Sequence, residues 1–190
     1  MNLTKKISIT ILNELMLSKT VDEKNYKKTL YGFEIIVSVF FQTLGLVILG
    51  IFIGILDKMI PVAMSFALLR LFAGGYHADS SCKCFILTFI MCIFGIKMAE
   101  FISASLFSMI IVATVSLILI IILAPVDTPY KRMTKKGRIT NKKRSLVVLI
   151  ILLSVVFILH VFSLIDMVYP ALILSGLFLE SISLLIKITQ

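Results

Sequence analysis

Between positions 70 and 84 the chain reads Arg-Leu-Phe-Ala-Gly-Gly-Tyr-His-Ala-Asp-Ser-Ser-Cys-Lys-Cys, holding one of its two histidines and two of its three cysteines. A thiolate is a far better nucleophile than a thiol, and a neighbouring imidazole both removes the thiol proton and stabilises the anion that remains. The imidazolium so formed can then protonate a departing amine. His77 and Cys84 therefore have the residue types of a thiol peptidase. Their spacing adds a constraint. Seven positions on a straight helix share a face but differ in height by about 10 Å, which is beyond hydrogen-bond reach. A direct pair requires a break in the chain, and Gly74-Gly75, just before His77, is the natural place for one.

Other readings of the same stretch remain open. Cys82 is a rival nucleophile, and a cysteine beside an apolar run often serves only as a small hydrophobe. Cys82, Cys84 and His77 could ligate zinc, but C-x-C spacing and the missing fourth ligand argue against it, so no metal and no cofactor is expected. Arg70 either anchors a substrate carboxylate or reaches from an apolar run to the interface. Glu34 is a residue that could orient His77. His160, assigned to the middle of an apolar run, reads as a hydrogen-bonded packing residue. Glu34, Lys97, Glu100 and Asp166 lie near the ends of apolar runs and read as interfacial.

The elements that must position these groups are membrane-spanning helices. Of 190 residues 59% are hydrophobic, against about 45–50% in a soluble domain, and the mean hydropathy is +1.10. Apolar residues come in runs long enough to cross a bilayer, which takes about 20 residues in helical form. The runs are Phe33–Leu56, closed by Asp57 and Lys58; a shorter one, Met59–Ala73; Phe85–Leu123, which is long enough for two helices with a turn near 98–105; Ser145–Ile165; and Met167–Ile188, broken from its predecessor at Asp166 and Pro170. The expectation is an all-α, polytopic membrane protein with about six transmembrane helices in a single domain, residues 1–190. Residues 3–17 place Leu3, Ile7, Ile11 and Leu15 four apart, as in an amphipathic helix lying on the bilayer, within a basic amino-terminal segment of residues 1–30. That segment has neither an uninterrupted apolar core nor a cleavage site of the kind a secretory signal carries.

Residues 125–144 carry eight Lys/Arg against one acid, with two prolines and a glycine, and are expected to form a basic loop. Six spans put the amino terminus, residues 70–84, this loop and the carboxyl end on one side of the membrane, together with 17 of the 19 Lys/Arg; Lys58 and Lys97 fall on the other. The excess of cations places that side in the cytoplasm. The formal charge of +9 is explained by this topology and by attraction to anionic lipid, so no nucleic acid is expected as a partner. Three clustered cysteines make a poor disulfide framework and suit a reducing compartment.

Arg70, Gly74-Gly75-Tyr76-His77 and Cys84 seven residues later, together with Ala124-Pro125-Val126-Asp127-Thr128-Pro129 before a basic loop, resemble the accessory gene regulator B (AgrB) family. The similarity extends over most of the chain in length, basic amphipathic start and pattern of apolar runs. It implies a membrane endopeptidase of Gram-positive bacteria that matures a quorum-sensing pro-peptide, AgrD, at the cytoplasmic face of the cell membrane. On that resemblance Cys84 is the nucleophile and His77 the base and later acid, while Arg70 and Gly75 anchor or shape the site. The acidic tail of the pro-peptide leaves, the signal segment stays as a thioester, and an internal Cys or Ser closes a thiolactone or lactone. A homodimer is also implied. Lys135, Lys136, Lys142 and Lys143 are expected to attract the acidic tail. The competing expectation is a small transporter or peptide-export component without proteolytic activity, which calls for paired polar residues deep in several spans or an inverted repeat.

Overall fold

The computed structural model describes residues 9–11, 26–75, 81–126, 134–162 and 165–188. Every regular element among them is an α-helix. Residues 9–11 are helical, as the amino-terminal reading requires; the rest of that amphipathic stretch lies outside the described residues. Six long helices follow: α1 (Tyr26–Ile53), α2 (Leu56–Ala73), α3 (Ser81–Ile102), α4 (Leu106–Leu123), α5 (Lys135–Val161) and α6 (Val168–Ile188). Five of them, all but α2, are long and apolar enough to cross a membrane. The chain is an all-α polytopic membrane protein. In such a protein each helix satisfies its own backbone, and hydroxyls in the spans follow suit: Ser116, Ser175 and Ser181 each donate to a carbonyl of their own helix.

Two compact units make up the chain, one comprising Met1–Gly54 with Ala78–Leu87, the other Ile55–His77 with Thr88–Gln190. In the first, α1 presents Ile36, Val39, Phe40, Ile48 and Ile51 outward, as a lipid-facing helix does. Gly45 gives the Phe85 ring room: a Cβ there would stand 2.8 Å from it.

The second unit is built around α6, the most enclosed of the five apolar helices. Its neighbour α2 runs parallel to it in register. Tyr169 Oη donates to Asp57 Oδ2 at 3.1 Å near one end, and Arg70 pairs with Glu180 nearer the other. Between them Gly176 meets Ser65 and Val62 so closely that a Cβ would stand 2.5 Å from the Val62 carbonyl oxygen. Gly95 on α3 fits against Val62 and Leu179 in the same manner. Small residues at crossing points let helix backbones approach, and this contact area holds helices together where no hydrophobic effect operates between them. Parallel second and sixth helices are what an alternating six-helix path demands.

Three boundaries differ from the sequence reading. The first apolar run ends at Gly54 instead of Asp57-Lys58: Gly54 adopts φ +74°, a left-handed conformation cheap only for glycine, and both charged residues belong to the first turn of α2. The basic segment expected to be a loop through residue 144 becomes helical at Lys135, because the Thr134 side chain accepts from the Gly137 amide at 3.1 Å and caps the helix. Pro170 does not break α6; it sits in its first turn, where its missing N–H costs nothing. The turn between α3 and α4 falls at residues 103–105, inside the expected range.

Candidate functional site

The site begins where α2 stops. Gly74 caps the helix with φ +82° and donates to the Arg70 carbonyl at 3.0 Å; Gly75 follows at φ +133°. Both angles lie where a side chain is strained, so the glycine pair is what allows the chain to leave the helix axis here. The expected break is therefore present, and Cys84 lies in the first helical turns of α3, beyond it. His77 itself lies outside the described residues, as do Tyr76 and Ala78–Ser80.

Gly74 answers a second demand. The Val126 amide donates to the Ala73 carbonyl at 2.9 Å, and a Cβ on Gly74 would stand 2.6 Å from the Val126 carbonyl oxygen. The end of α2 and the Ala124-Pro125-Val126 stretch thus lie in contact, although about fifty residues separate them in sequence. Asp127 lies outside the described residues.

Beside this junction is a polar cluster that the sequence reading passed over. Glu180, fully buried in α6, lies 3.6 Å from Arg70 Nη1 through Oε2. The same oxygen accepts from Ser183 Oγ at 2.9 Å. Its other oxygen, Oε1, is buried without a hydrogen-bond partner among the described residues. Gly75 covers that oxygen: a Cβ there would stand 2.9 Å from Oε1 and 2.8 Å from Ser183 Oγ. Arg70 keeps about a quarter of its side chain exposed, and its guanidinium carbon sits 5.3 Å from the centroid of the Phe66 ring, within cation–π range. One acidic residue thirteen positions after Met167 in an apolar run was the available signal for Glu180, since an ionisable group at that depth is costly without a partner.

The other expected residues are distributed as follows. Arg70 and Gly75 are brought together, with Glu180 between them. Cys84 belongs to the first compact unit and is half-buried; Cys82 is exposed and Cys92 buried. Lys135, Lys136, Lys142 and Lys143 line the start of α5, all exposed except the half-buried Lys142. The Arg144 guanidinium carbon lies 6.0 Å from the Phe72 ring centroid, so the basic end of α5 flanks the end of α2. Glu34 is half-buried in the third turn of α1. Lys97 and Glu100 form an exposed pair at 3.3 Å near the end of α3. His160 lies in the last turn of α5, not mid-helix, with Nδ1 3.2 Å from Met167 Sδ. Among the described residues no group of three His, Cys, Asp or Glu could hold a metal ion.

A bundle of apolar helices, with Arg70, Glu180 and Ser183 gathered beside a glycine break and a strongly basic helix end, defines a polytopic membrane protein with a candidate site at that break. Its particular kind follows from comparison with known proteins. A sequence profile described as accessory gene regulator B matches residues 4–184, and the chain belongs to that family. It is 31% identical over 104 residues to a protein of Clostridium perfringens called putative AgrB-like protein 1, an alignment covering 55% of this chain and 56% of that one. It is 27% identical over 165 residues to the accessory gene regulator protein B of Staphylococcus aureus strain JH9, covering 87% of this chain and 85% of that one. The chain thus spans little more than half the length of the first relative and most of the second. No solved structure matches.

Proposed function

We propose that this protein is a membrane cysteine endopeptidase of the accessory gene regulator system, which removes the carboxyl-terminal tail of an AgrD-like pro-peptide and promotes its cyclisation. The observation that supports the reading is the helix break at Gly74-Gly75, just before His77 in sequence, with Cys84 near the start of the next helix. Membership of the family supports it independently.

In the proposed reaction His77 takes the proton of the Cys84 thiol, and Sγ attacks the scissile carbonyl of the pro-peptide. The tetrahedral oxyanion needs donors, and the first turn of a helix has backbone N–H groups with no partner in their own helix. Cys84, placed at the start of α3, is near such groups. Collapse of the intermediate breaks the C–N bond, and the imidazolium returns its proton to the amine of the departing tail. The signal segment remains as a thioester on Cys84. A Cys or Ser side chain within the segment then attacks that thioester, releasing Cys84 and closing the ring. Confinement beside apolar helices favours the internal nucleophile over water.

The basic start of α5 serves as the electrostatic receiver of an acidic tail, with the amino terminus and the site on the cytoplasmic face. Each exposed lysine contributes about 1 kcal/mol or less. The enzyme acts as a homodimer in this reading. The decisive experiment co-expresses a candidate precursor with wild type, Cys84→Ala, Cys82→Ala and His77→Ala. Mass spectrometry is expected to find the released tail with wild type and Cys82→Ala, and an acyl adduct on Cys84. Cleavage that survives Cys84→Ala would end the proposal.

A further inference from the structure

The reaction as drawn assigns nothing to Glu180. Yet among the described residues it is the one Asp, Glu, Lys or Arg that is fully buried, and one of its oxygens has no hydrogen-bond partner there. An enclosed carboxylate half-satisfied in this way costs stability, and replacing a buried ion pair with apolar residues is often neutral or favourable. Packing alone thus does not call for Glu180. Its surroundings suggest what does. One oxygen is held by Arg70 and Ser183, and the other is pressed against Gly75, two residues before His77 in sequence.

We propose that Glu180 is a positioning residue of the peptidase: held by Ser183, it fixes the Arg70 guanidinium and the Gly75 backbone, and so sets the direction in which the chain leaves α2 toward His77. The inference rests on the reading of His77 and Cys84 as the reacting pair. Three contacts bear on it. Ser183, one turn further along α6, fixes the rotamer of the carboxylate. Arg70, one turn before Gly74 on α2, ties the same carboxylate to the last turn of that helix. Gly75 leaves no room for a side chain between the backbone and Oε1, so displacement of the carboxylate and displacement of the backbone are coupled. Glu180 touches no reacting atom in this scheme and acts only through the segment it holds.

Full-length protein in liposomes, given a synthetic precursor, tests this through kcat and KM for tail release. Glu180→Gln keeps the shape and the acceptor for Ser183 but loses the charge that holds Arg70. It is expected to lower kcat on the order of 10²-fold, the effect of a misplacement of about 1 Å, with KM changed less than about threefold, because substrate binding is not its task. Ser183→Ala, which preserves the charge and frees the rotamer, is expected to lower kcat several-fold in the same pattern. Gly75→Ala is expected to resemble Glu180→Gln, and the double variant Gly75→Ala/Glu180→Gln to be little slower than either, since both act on one contact. Unchanged kcat in Glu180→Gln, or a change confined to KM, overturns the proposal. Should Glu180→Gln not accumulate, wild-type kcat in Ser183→Ala overturns it instead. Cys84→Ala is run alongside: activity in that variant defeats the underlying peptidase reading, whereas an inert Cys84→Ala with a fully active Glu180→Gln defeats only the role given to Glu180.

Discussion

Gly176→Ala is the sharpest test of how the second unit is held together. The new Cβ would land on Ser65 Oγ, 2.5 Å from the Val62 carbonyl oxygen and 3.3 Å from the Phe66 nitrogen. Ser65 Oγ can rotate away, although it would give up its bonds to the carbonyls of Pro61 and Val62. The Val62 carbonyl cannot move alone. Reaching an ordinary contact of 3.4 Å from 2.5 Å requires α2 and α6 to separate locally by 0.9 Å. Overpacking of this kind costs about 1–3 kcal/mol, and the better helix propensity of alanine offsets up to about 1 kcal/mol. A net loss of about 1–2 kcal/mol is expected, roughly a 5- to 30-fold change in the folded ratio. Reversible unfolding in mixed detergent, followed by circular dichroism, reads it. Gly32→Ala, with nothing within 4 Å of the added atom, is the control and is expected to be neutral or slightly stabilising. Adding Ser65→Gly should recover only part of the loss, since the Val62 carbonyl remains. Wild-type stability in Gly176→Ala would refute the close parallel packing of α2 on α6. Full rescue by Ser65→Gly would refute the assignment of the backbone as the obstacle.

Three further outcomes follow from other parts of the chain. Gly54→Ala meets no neighbouring atom but must adopt φ +74°, so it is expected to cost about 1–2 kcal/mol, with Gly54→Asn costing less; equal stabilities in the same detergent titration would contradict the backbone argument. Thr134→Ala removes the cap on the Gly137 amide and is expected to destabilise the start of α5 by about 1 kcal/mol, seen as faster amide hydrogen exchange over residues 135–138 and unchanged exchange further along the helix. Replacing Lys135, Lys136, Lys142 and Lys143 together with Gln is expected to weaken capture of an acidic-tailed peptide by reconstituted vesicles and flatten its dependence on salt, while kcat holds; an undiminished salt dependence would remove these residues from the substrate path.

Most of the helical plan was legible because apolar length is a strong signal. Where the run from Phe85 to Leu123 exceeded one membrane thickness, it had to turn, and Lys97 and Glu100 marked the place. The break at Gly74-Gly75 was legible because two adjacent glycines before a histidine fit poorly inside a helix. The start of α5 was not, for hydropathy registers only the part of a helix that lipid covers. Its first ten residues, rich in Lys and Arg, read as solvent-exposed loop, although a polar extension of a span costs no burial and Thr134 caps it. Gly54 was hidden among apolar neighbours while the more conspicuous Asp57-Lys58 drew the boundary. Glu180 was illegible for another reason. Its partners Arg70 and Gly75 are more than a hundred positions away, and no local pattern announces a contact that only the parallel pairing of two helices creates.

That pairing also explains how α2, the one long helix that does not qualify as a membrane span, is accommodated in the second unit. Arg70 stands thirteen residues after Asp57 on α2, about 20 Å along the axis, whereas the hydrocarbon layer is about 30 Å thick. A helix with charges so close together cannot face lipid along its whole length. Packed against α6 it need not, because Tyr169 meets Asp57 near one end and Glu180 meets Arg70 near the other. Those two contacts and the tight fit of Gly176 constrain one another. Sliding α2 along α6 by a single residue, about 1.5 Å, would lengthen a polar contact and set Gly176 against a different turn. Charges that disqualify α2 as a lipid-facing span are thus the groups that fix its register, and that register decides where Gly74 and Gly75 release the chain. A Glu180 variant is accordingly expected to disturb the departure of the chain from α2 before it disturbs the bundle, and local exchange at Gly74 and Gly75 should rise at denaturant concentrations that leave α6 protected.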